Sequence, residues 1–298
     1  MVTSLRSLHE LAQKGTPRTI AVAWPHDEDV LVSLDRASAG GLVRPLLVGR
    51  RSVIDPLSAR IGLTRPPGEL VECASEAEAV EAACRAVAGG RAQMLMKGLV
   101  STSAFLKGVL NKDWGLRRRP LLSHVAVFEF HEPDRLVLVT DVAMNIAPDV
   151  AAKAQIVDNA VELATRLGIE RPRVAALAAV ETVSPDMPAT VDAAVLAKMS
   201  DRGQIKGCVI DGPLAFDNAL FADAARHKGI TSPVAGYADI LLVPDIEAGN
   251  VLYKALGLVA RLPLAAVIIG ASAPVVLTSR ADSDETKFNS IALAAAIS

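Results

Sequence analysis

Residues 19–29 have the sequence TIAVAWPHDED, in which a short apolar run is followed by a proline and an acidic cluster. The apolar run predicts a buried β-strand, and the acidic residues are typical of a helix N-terminus. The same order recurs, with apolar runs at 45–48, 93–96, 174–179, 207–210 and 239–243 and helical patterns at 75–87, 101–110, 148–167, 188–199 and 247–261. This alternation predicts an α/β fold with mostly parallel sheets flanked by helices.

Two β-rich runs, at 121–130 and 136–140, interrupt the alternation because only the turn-like sequence HEPD separates them. A connection this short favours an antiparallel hairpin over a crossover. Further strands are predicted at 265–269 and 275–277, before a closing helix that begins at about Ser283. With no low-complexity linker and no internal repeat, the sequence predicts one unit with two lobes and no flexible tether.

The composition narrows the classes of function. Hydrophobic residues make up 51% of the chain and aromatic residues 3%, so the interior is expected to consist mainly of Ala, Val, Leu and Ile. A net charge of -2 gives no general attraction to nucleic acid or to anionic membranes. The three cysteines follow no metal-binding pattern, and no apolar run approaches the roughly 20 residues that cross a bilayer. We therefore expect a cytoplasmic protein without a metal site.

The sequence KGLVST at 97–102 lies where a predicted strand ends and a helix begins. Loops in this position bind anions in open α/β sheets, because the unpaired N–H groups of the helix face the ligand. Gly98 allows a close backbone approach, Lys97 supplies charge, and Ser101 and Thr102 supply hydroxyl donors. The alternative is that Ser101 only caps the helix and Lys97 is solvated.

The sequence TSRADSDE at 278–285 is the strongest candidate for a catalytic loop. Arg280 can hold a phosphoryl group through two parallel hydrogen bonds, and Ser279 can donate to a developing oxyanion. A neighbouring carboxylate could accept a thiol proton. The alternative is that Asp282 and Glu285 form a capping box for the helix that follows.

Four other stretches each have the sequence of a turn: Asp211-Gly212-Pro213, residues 232–236, Pro244-Asp245 and Gly249-Asn250. His124 lies within an apolar strand pattern, where a buried structural histidine is the usual finding. Spacing alone therefore predicts an anion-binding α/β enzyme and nothing narrower.

Five stretches have distinctive sequences: LSHVAVF at 122–128, TDVAMNIAPD at 140–149, IDGPLAFDNA at 210–219, SPVAGYADILLVPDIEAGNVLYKALG at 232–257 and PVVLTSRADSDETK at 274–287. Together they resemble the phosphate acetyltransferase and phosphate butyryltransferase family, from about Met94 to the end of the chain. VETVSPDMPATVDAA at 180–194 and KMSDRGQIKG at 198–207 are similar to the transferase portion of bifunctional enoyl-CoA hydratase/phosphate acetyltransferases. No hydratase portion accompanies them.

The resemblance implies the two-lobed fold of the isocitrate and isopropylmalate dehydrogenases, working as a homodimer with the active site between lobes. Residues 1–127 and 276–298 would form the first lobe, and residues 128–275 the second lobe with the dimer interface. The implied reaction is direct attack of the CoA thiolate on an acyl phosphate, without a covalent enzyme intermediate. Acyl-CoA, phosphate and acyl phosphate are then substrates, and no cofactor is permanently bound.

Within this resemblance, Ser279 and Arg280 match the Ser-Arg pair that contacts the reacting groups. The aspartate proposed as the thiol base lies six positions beyond the arginine in the family, and Thr286 occupies that position here. Asp282, Asp284 and Glu285 are nearby substitutes. The residues expected to bind substrate are Lys97, Gly98, Ser101, Thr102, Ser232, Gly236, Asn250 and Thr278.

Two other functions stay open from the sequence. A metal- and NAD(P)-dependent decarboxylating dehydrogenase has the same fold, and Asp211, Asp239 and Asp245 could supply carboxylates for its metal. A protein that binds CoA or acyl phosphate without turnover is the second, because Thr286 replaces the aspartate. The length of the acyl group, whether acetyl, propionyl or butyryl, is also open.

Overall fold

The computed structural model describes residues 1–279 and 282–298, so Arg280 and Ala281 lie outside the described residues. Contacts divide the chain into two units. The terminal unit comprises Leu5–Pro120 and Ala265–Ser298, and the central unit comprises Met1–Ser4 and Leu121–Leu264. These units differ from the expected lobes at residues 1–4, 121–127 and 265–275, and the lobe boundaries stay a prediction.

The terminal unit is built on a mostly parallel sheet. Its strands are β1 (Arg18–Ala23), β2 (Val43–Gly49), β3 (Glu69–Glu72), β4 (Met94–Lys97), β10 (Leu264–Ile269) and β11 (Val275–Val276). They lie in the order β3-β2-β1-β4-β11-β10, with β10 antiparallel to β11 and the other pairs parallel. Almost every residue of β1, β2 and β4 is buried, as expected where helices cover both faces of a parallel sheet.

The helices of the terminal unit are α1 (Leu5–Gln13), α2 (Glu28–Ala39), α3 (Arg51–Arg60), α4 (Glu76–Ala88), α5 (Thr102–Val109) and α11 (Asp284–Ala296). Helix α11 packs against α1 and α2, and all of its residues from Lys287 to Ala295 are buried. Asp27 caps α2 by accepting a hydrogen bond from the backbone N–H of Val30. This confirms that the acidic cluster after β1 begins a helix.

The central unit contains the predicted hairpin. Its strands are β5 (Ser123–His131), β6 (Asp134–Thr140), β7 (Arg173–Leu177), β8 (Val209–Leu214) and β9 (Ile240–Leu242). Strands β5 and β6 are antiparallel and are joined by a two-residue turn, since His131 pairs with Asp134. From β6 the order continues through β9 and β7 to β8, and all these pairs are parallel.

The helices of the central unit are α6 (Val150–Arg166), α7 (Pro188–Asp201), α8 (Phe216–Leu220), α9 (Ala222–His227) and α10 (Ile246–Lys254). A π-helical segment, Ala255–Val259, continues α10. Throughout residues 1–279 and 282–298, no helix has the length and apolar character that crossing a membrane requires.

The structure corrects two of the turn assignments, since Gly249-Asn250 lies inside helix α10. The segment Asp211-Gly212-Pro213 was predicted as a turn, but it lies within β8. Strand β8 is at the end of its sheet order, where one side of the strand needs no ladder partner, so a proline without an N–H group is tolerated. The pairing of β7 with β8 also shifts register between Ala175 and Leu177.

Candidate active site

Two of the predicted loops leave neighbouring strands of the terminal unit. Strands β4 and β11 are parallel, with Val275 opposite Leu95 and Val276 opposite Met96. Parallel strands in register present their carboxyl ends at the same edge of a sheet, which is the edge where ligands bind in α/β folds. The loop after Lys97 and the loop after Val276 therefore begin side by side, although they are far apart in the sequence.

Gly98 is required by the backbone of the neighbouring strand. A Cβ at this position would lie 2.3 Å from the carbonyl oxygen of Trp24 and 2.7 Å from that of Ala23. The close approach is held by two hydrogen bonds, from Gly98 N to Ala23 O at 2.9 Å and from Leu99 N to Trp24 O at 2.8 Å. The glycine thus explains the shape of the loop, while its contact with substrate stays a prediction.

The side chain of Lys97 is buried against the loop that follows β4. Its relative exposure is 6%, and Nζ donates to the carbonyl oxygens of Gly98 and Val100 at 3.1 Å each. The alternative of a solvated lysine is therefore wrong. The ammonium group places a positive charge beneath this loop and satisfies carbonyl groups that would otherwise be buried without donors.

Ser101 and Thr102 are exposed where α5 begins. Ser101 Oγ accepts a hydrogen bond from Ala104 N at 3.1 Å, which confirms that this serine caps the helix. A capping hydroxyl keeps its own hydrogen as a donor, so the same side chain can also contact an anion.

Asp282 closes the candidate catalytic loop. Thr278 is buried, Ser279 is exposed, and Asp282 is only 7% exposed. Asp282 Oδ2 accepts a hydrogen bond from Ser279 N at 2.7 Å, and Asp282 N donates to Ser279 O at 3.2 Å. The expected role of Arg280 concerns a residue outside the described ones, and it stays a prediction.

The predicted capping box of Asp282 with Glu285 is wrong by one residue. Ser283 is the N-cap of α11, since its Oγ accepts a hydrogen bond from Thr286 N at 3.1 Å. Glu285 forms an ion pair with Arg36 of α2. A serine is available one position later, which leaves the aspartate free to turn back towards Ser279.

Thr286, at the position of the family aspartate, belongs to this cap. Its Oγ1 lies 3.2 Å from Ser283 Oγ, and its carbonyl oxygen accepts from Ser290 Oγ at 2.8 Å. Asp284 is exposed in the first turn of α11. Of the three carboxylates in this loop, Asp282 is buried and Glu285 is paired with Arg36, so Asp284 is the one that remains exposed without an ion pair to Arg36.

The loop after β6 in the central unit is organised by Asp141, which the sequence alone did not single out. Asp141 is 3% exposed, and its carboxylate accepts from the backbone N–H groups of His124, Ala143, Met144 and Asn145 at 3.0–3.3 Å. A buried carboxylate surrounded by N–H donors fixes a loop strongly. Asp141 lies in the sequence TDVAMNIAPD, which follows a predicted strand, and an aspartate at such a position can organise a loop.

Gly249 and Asn250 hold α10 against this loop. A Cβ on Gly249 would lie 2.3 Å from Asp141 O, so only glycine allows the contact. Asn250 Nδ2 donates to Val142 O at 3.4 Å. The structure thus gives Asn250 a structural contact, and substrate binding by this residue stays a prediction.

Ser232 and Gly236 shape a separate turn of the central unit. Ser232 Oγ accepts hydrogen bonds from Val234 N at 3.0 Å and Ala235 N at 3.2 Å. Gly236 has φ +84°, and a Cβ there would lie 2.5 Å from Cα of Ala222. Both residues therefore have local structural roles, whatever they contact in addition.

The three aspartates that could supply carboxylates for a metal each make different local contacts. Asp239 precedes β9 and pairs with Arg135 and Arg173 at 3.0–3.1 Å, while Asp245 lies beyond the other end of β9 and caps α10. Asp211 accepts from Gly212 N at 2.8 Å. Among the described residues, no group of three or more His, Cys, Asp or Glu side chains is placed to hold a metal ion.

His26 lies near the carboxyl ends of β1 and β2. Its Nε2 accepts a hydrogen bond from Arg50 N at 3.1 Å, and its ring lies 4.0 Å from the ring of Trp24. Burial, and secondly the charge of Arg50, lower the pKa of His26, although Glu72 opposes them. The neutral imidazole is therefore the favoured form, and it serves as an acceptor.

These features define an α/β protein with hydroxyl groups and a buried cation on adjacent loops at the carboxyl edge of a parallel sheet, the arrangement of an enzyme that acts on anionic substrates. Residues 68–295 match the family described as "Phosphate acetyl/butaryl transferase". The chain belongs to this family and is an acyltransferase.

Two relatives match nearly the whole chain. The phosphate butyryltransferase of Clostridium acetobutylicum is 48% identical over 297 residues, covering 100% of this chain and 99% of that protein. The phosphate acetyltransferase of Thermotoga maritima is 42% identical over 291 residues, covering 98% of each. The resemblance stated from the sequence motifs is thereby confirmed.

Two solved structures support the fold. A branched-chain phosphotransacylase from Enterococcus faecalis has a TM-score of 0.85 at 35% identity, covering 94% of this chain and 98% of that one. A 4-hydroxythreonine-4-phosphate dehydrogenase from Salmonella typhimurium has a TM-score of 0.57 at 14% identity, covering 95% and 100%. The second likeness concerns the fold alone, and it confirms the predicted dehydrogenase-like α/β architecture.

Proposed function

We propose that this protein catalyses the reversible transfer of a short acyl group between coenzyme A and inorganic phosphate. Its membership of the phosphate acetyl/butyryl transferase family over most of the chain is the observation that carries the proposal. The terminal unit supports it, because Ser101, Thr102 and Ser279 expose hydroxyl groups on loops that begin at adjacent parallel strands. Both substrates are anionic, and such loops bind anions.

In this reaction the CoA thiolate attacks the carbonyl carbon of an acyl phosphate, and inorganic phosphate leaves as the carbon–oxygen bond breaks. The hydroxyl of Ser279 donates to the carbonyl oxygen as negative charge develops there. Arg280 binds the phosphoryl oxygens through its planar fork of N–H donors. Lys97, Gly98 and Thr278 are buried where the two loops begin, and they are proposed to line the base of the substrate site.

The thiol proton is assigned to Asp284. Asp282 already accepts a hydrogen bond from Ser279 N, and Glu285 is paired with Arg36, whereas Asp284 is exposed. A carboxylate is a weak base towards a thiol with a pKa of about 8.5, so a large rate gain from this step is not required. Alignment of the two substrates can contribute about 7 kcal/mol or more.

The acyl group is proposed to have four carbons or a branched chain. The C. acetobutylicum relative is named for butyryl transfer and the E. faecalis structure for branched-chain transfer, whereas the acetyltransferase of T. maritima is less similar than the butyryltransferase. In an apolar pocket, one methylene group changes specificity by about 10- to 200-fold. We expect kcat/KM for butyryl-CoA to exceed that for acetyl-CoA by at least about ten-fold.

The test is an assay of CoA release from acetyl-, butyryl- and isobutyryl-CoA in the presence of phosphate or arsenate. Release that depends on the anion supports acyl transfer, and the order of kcat/KM tests the chain-length proposal. If the anion does not increase CoA release above the anion-free control for any of these substrates, the proposed function is wrong. A dehydrogenase is not favoured, because the relatives at 42–48% identity are acyltransferases.

CoA is proposed to act only as a substrate, and the protein is proposed to need no permanently bound metal or cofactor. Activity should then survive prolonged dialysis against a chelator, and the dialysed protein should show no absorbance beyond that of its aromatic residues. Loss of activity that added metal restores would contradict this proposal.

Self-association is proposed to use an exposed apolar stripe on α10 and the π-helical segment after it. Val251, Leu258 and Val259 are 68%, 50% and 83% exposed, and their spacing of seven and eight places them on one helical face. Exposed apolar groups of this kind commonly mark an interface. Light scattering should give twice the mass of 31.2 kDa for the wild type and a lower mass for Val259→Lys.

A further inference from the structure

The loop that carries Ser279 is tied to the rest of the terminal unit through Asp282. This residue makes two hydrogen bonds to Ser279, one through its carboxylate and one through its backbone N–H. The carboxylate bond of 2.7 Å joins a charged acceptor to a backbone donor, which is stronger than a neutral hydrogen bond. A carboxylate oxygen that already accepts a hydrogen bond from a backbone N–H is a weaker base than a free one, because the bond stabilises its charged form.

Lys287 holds Asp282 from the other side. This lysine lies in the second turn of α11 and is 3% exposed. Its Nζ donates to Asp282 O at 2.5 Å and lies 3.3 Å from Oδ2 of Asp29, which belongs to the first turn of α2. Burying an ammonium group costs free energy unless the group donates hydrogen bonds, so these contacts hold both the lysine side chain and the loop in place.

A continuous set of contacts therefore runs from α2 through Lys287 and Asp282 to Ser279. Three of the described residues that follow Asp282 have other contacts. Ser283 and Thr286 form the helix cap, and Glu285 pairs with Arg36. Within the described part of the loop, Asp282 and Lys287 therefore connect the exposed serine to α11 and α2.

We infer that Asp282 and Lys287 are positioning residues, which set the place of Ser279, and that Asp282 does not accept the thiol proton. The inference rests on the proposed function. Enzymatic rates depend steeply on placement, since a displacement of about 1 Å can cost about 100-fold. Removal of either contact should therefore reduce turnover through loop geometry and not through the chemistry of proton transfer.

The test compares Asp282→Asn with Asp282→Ala. An asparagine keeps an oxygen that can accept from Ser279 N but cannot act as a base, whereas alanine removes the acceptor. We expect Asp282→Asn to lower kcat by less than about five-fold with the wild-type pH profile, and Asp282→Ala to lower it by about 10- to 100-fold. Asp201→Asn, at an exposed aspartate of α7, is the matched control and should match the wild type.

A second measurement does not depend on turnover. Hydrogen–deuterium exchange of a peptide covering 276–289 should accelerate in Asp282→Ala and in Lys287→Met, and stay near the wild-type rate in Asp282→Asn. Lys287→Met keeps the buried aliphatic length and loses only the donors. If this variant does not fold, Asp29→Ala removes the exposed partner of Lys287 and should give a smaller acceleration of the same peptide.

The inference is overturned if both Asp282 variants lose about 100-fold or more and the acidic limb of the pH profile disappears in Asp282→Asn, which is the behaviour of a general base. Unchanged exchange of the 276–289 peptide in Asp282→Ala and Lys287→Met would also overturn it. Failure of the proposed function looks different, because the wild type would then show no acyl transfer while the exchange pattern persists.

Discussion

Replacing Gly98 by alanine tests the close approach of the first candidate loop, which follows β4, to the end of β1. The added Cβ would lie 2.3 Å from Trp24 O, about 1 Å closer than an ordinary contact between carbon and oxygen. Neither atom is at the end of a flexible side chain, so the loop after β4 must move away from β1. Two backbone hydrogen bonds, from Gly98 N and Leu99 N, are strained by this movement.

The expected loss of stability follows from these contacts. Overpacking costs about 1–3 kcal/mol, and weakening two backbone hydrogen bonds adds about 1 kcal/mol, for a total of about 2–4 kcal/mol. With an unfolding entropy of about 0.6 kcal/mol/K for a chain of this length, Tm should fall by about 3–6 °C. Turnover should fall more, by about ten-fold or more, because Ser101 and Thr102 follow the displaced segment.

Thermal unfolding followed by circular dichroism, together with kcat/KM for butyryl-CoA, measures both effects. Gly15→Ala is the matched control, since no atom lies within 4 Å of its added Cβ. The control should melt within about 1 °C of the wild type. If Gly98→Ala behaves like Gly15→Ala in both measurements, the close approach of the two strands does not exist in solution and the reasoning about this edge is refuted.

Three further outcomes are expected. Arg280→Ala should lose at least about 100-fold in kcat/KM with little change in Tm, because the proposed role of Arg280 is to bind the negatively charged substrate. Activity within a few-fold of the wild type would contradict the assignment of Arg280 to the active site. Asp239→Ala leaves the guanidinium groups of Arg135 and Arg173 without their carboxylate, so the free energy of unfolding measured by denaturant titration should fall by about 2–4 kcal/mol. The kcat/KM of this variant at 25 °C should stay within about two-fold of the wild type. Burial, and secondly nearby carboxylates, raise the pKa of Cys84 to about 12 and that of Cys208 to about 11. Both thiols are buried and stay protonated at pH 8, so they should react with an aromatic disulfide reagent only after denaturation.

Periodicity was sufficient for most of the architecture. The strand–helix alternation, the hairpin at residues 123–140 and the closing helix α11 follow from apolar spacing and turn composition, and each is confirmed. Four helices were not predicted, for physical reasons: α1, α8 and α9 are short, with nine, five and six residues, and α3 contains Pro56 within its span. Strand β3 was missed because its sequence, ELVE, has only two apolar residues and lies at the end of the sheet order.

The candidate site was predicted less completely. The sequence indicated the loops around Lys97 and Ser279, but it could not show that β4 and β11 are neighbours, since strand order depends on tertiary packing. It also placed the helix cap at Asp282 and not at Ser283, because both residue types cap helices equally well and only the backbone geometry distinguishes them. The many hydrogen bonds of Asp141 depend on a loop conformation that no residue pattern specifies.

Pairing between β4 and β11 also has a consequence for biosynthesis. Strand β4 is complete at Lys97, whereas its neighbour ends at Val276, after the whole central unit has been translated. At about 5–20 residues per second, the free side of β4 waits about 10–35 s for its partner. During that interval a buried apolar strand has an unpaired edge on the ribosome, so we expect the nascent chain to be most prone to aggregate, and most dependent on chaperones, before its last segment emerges.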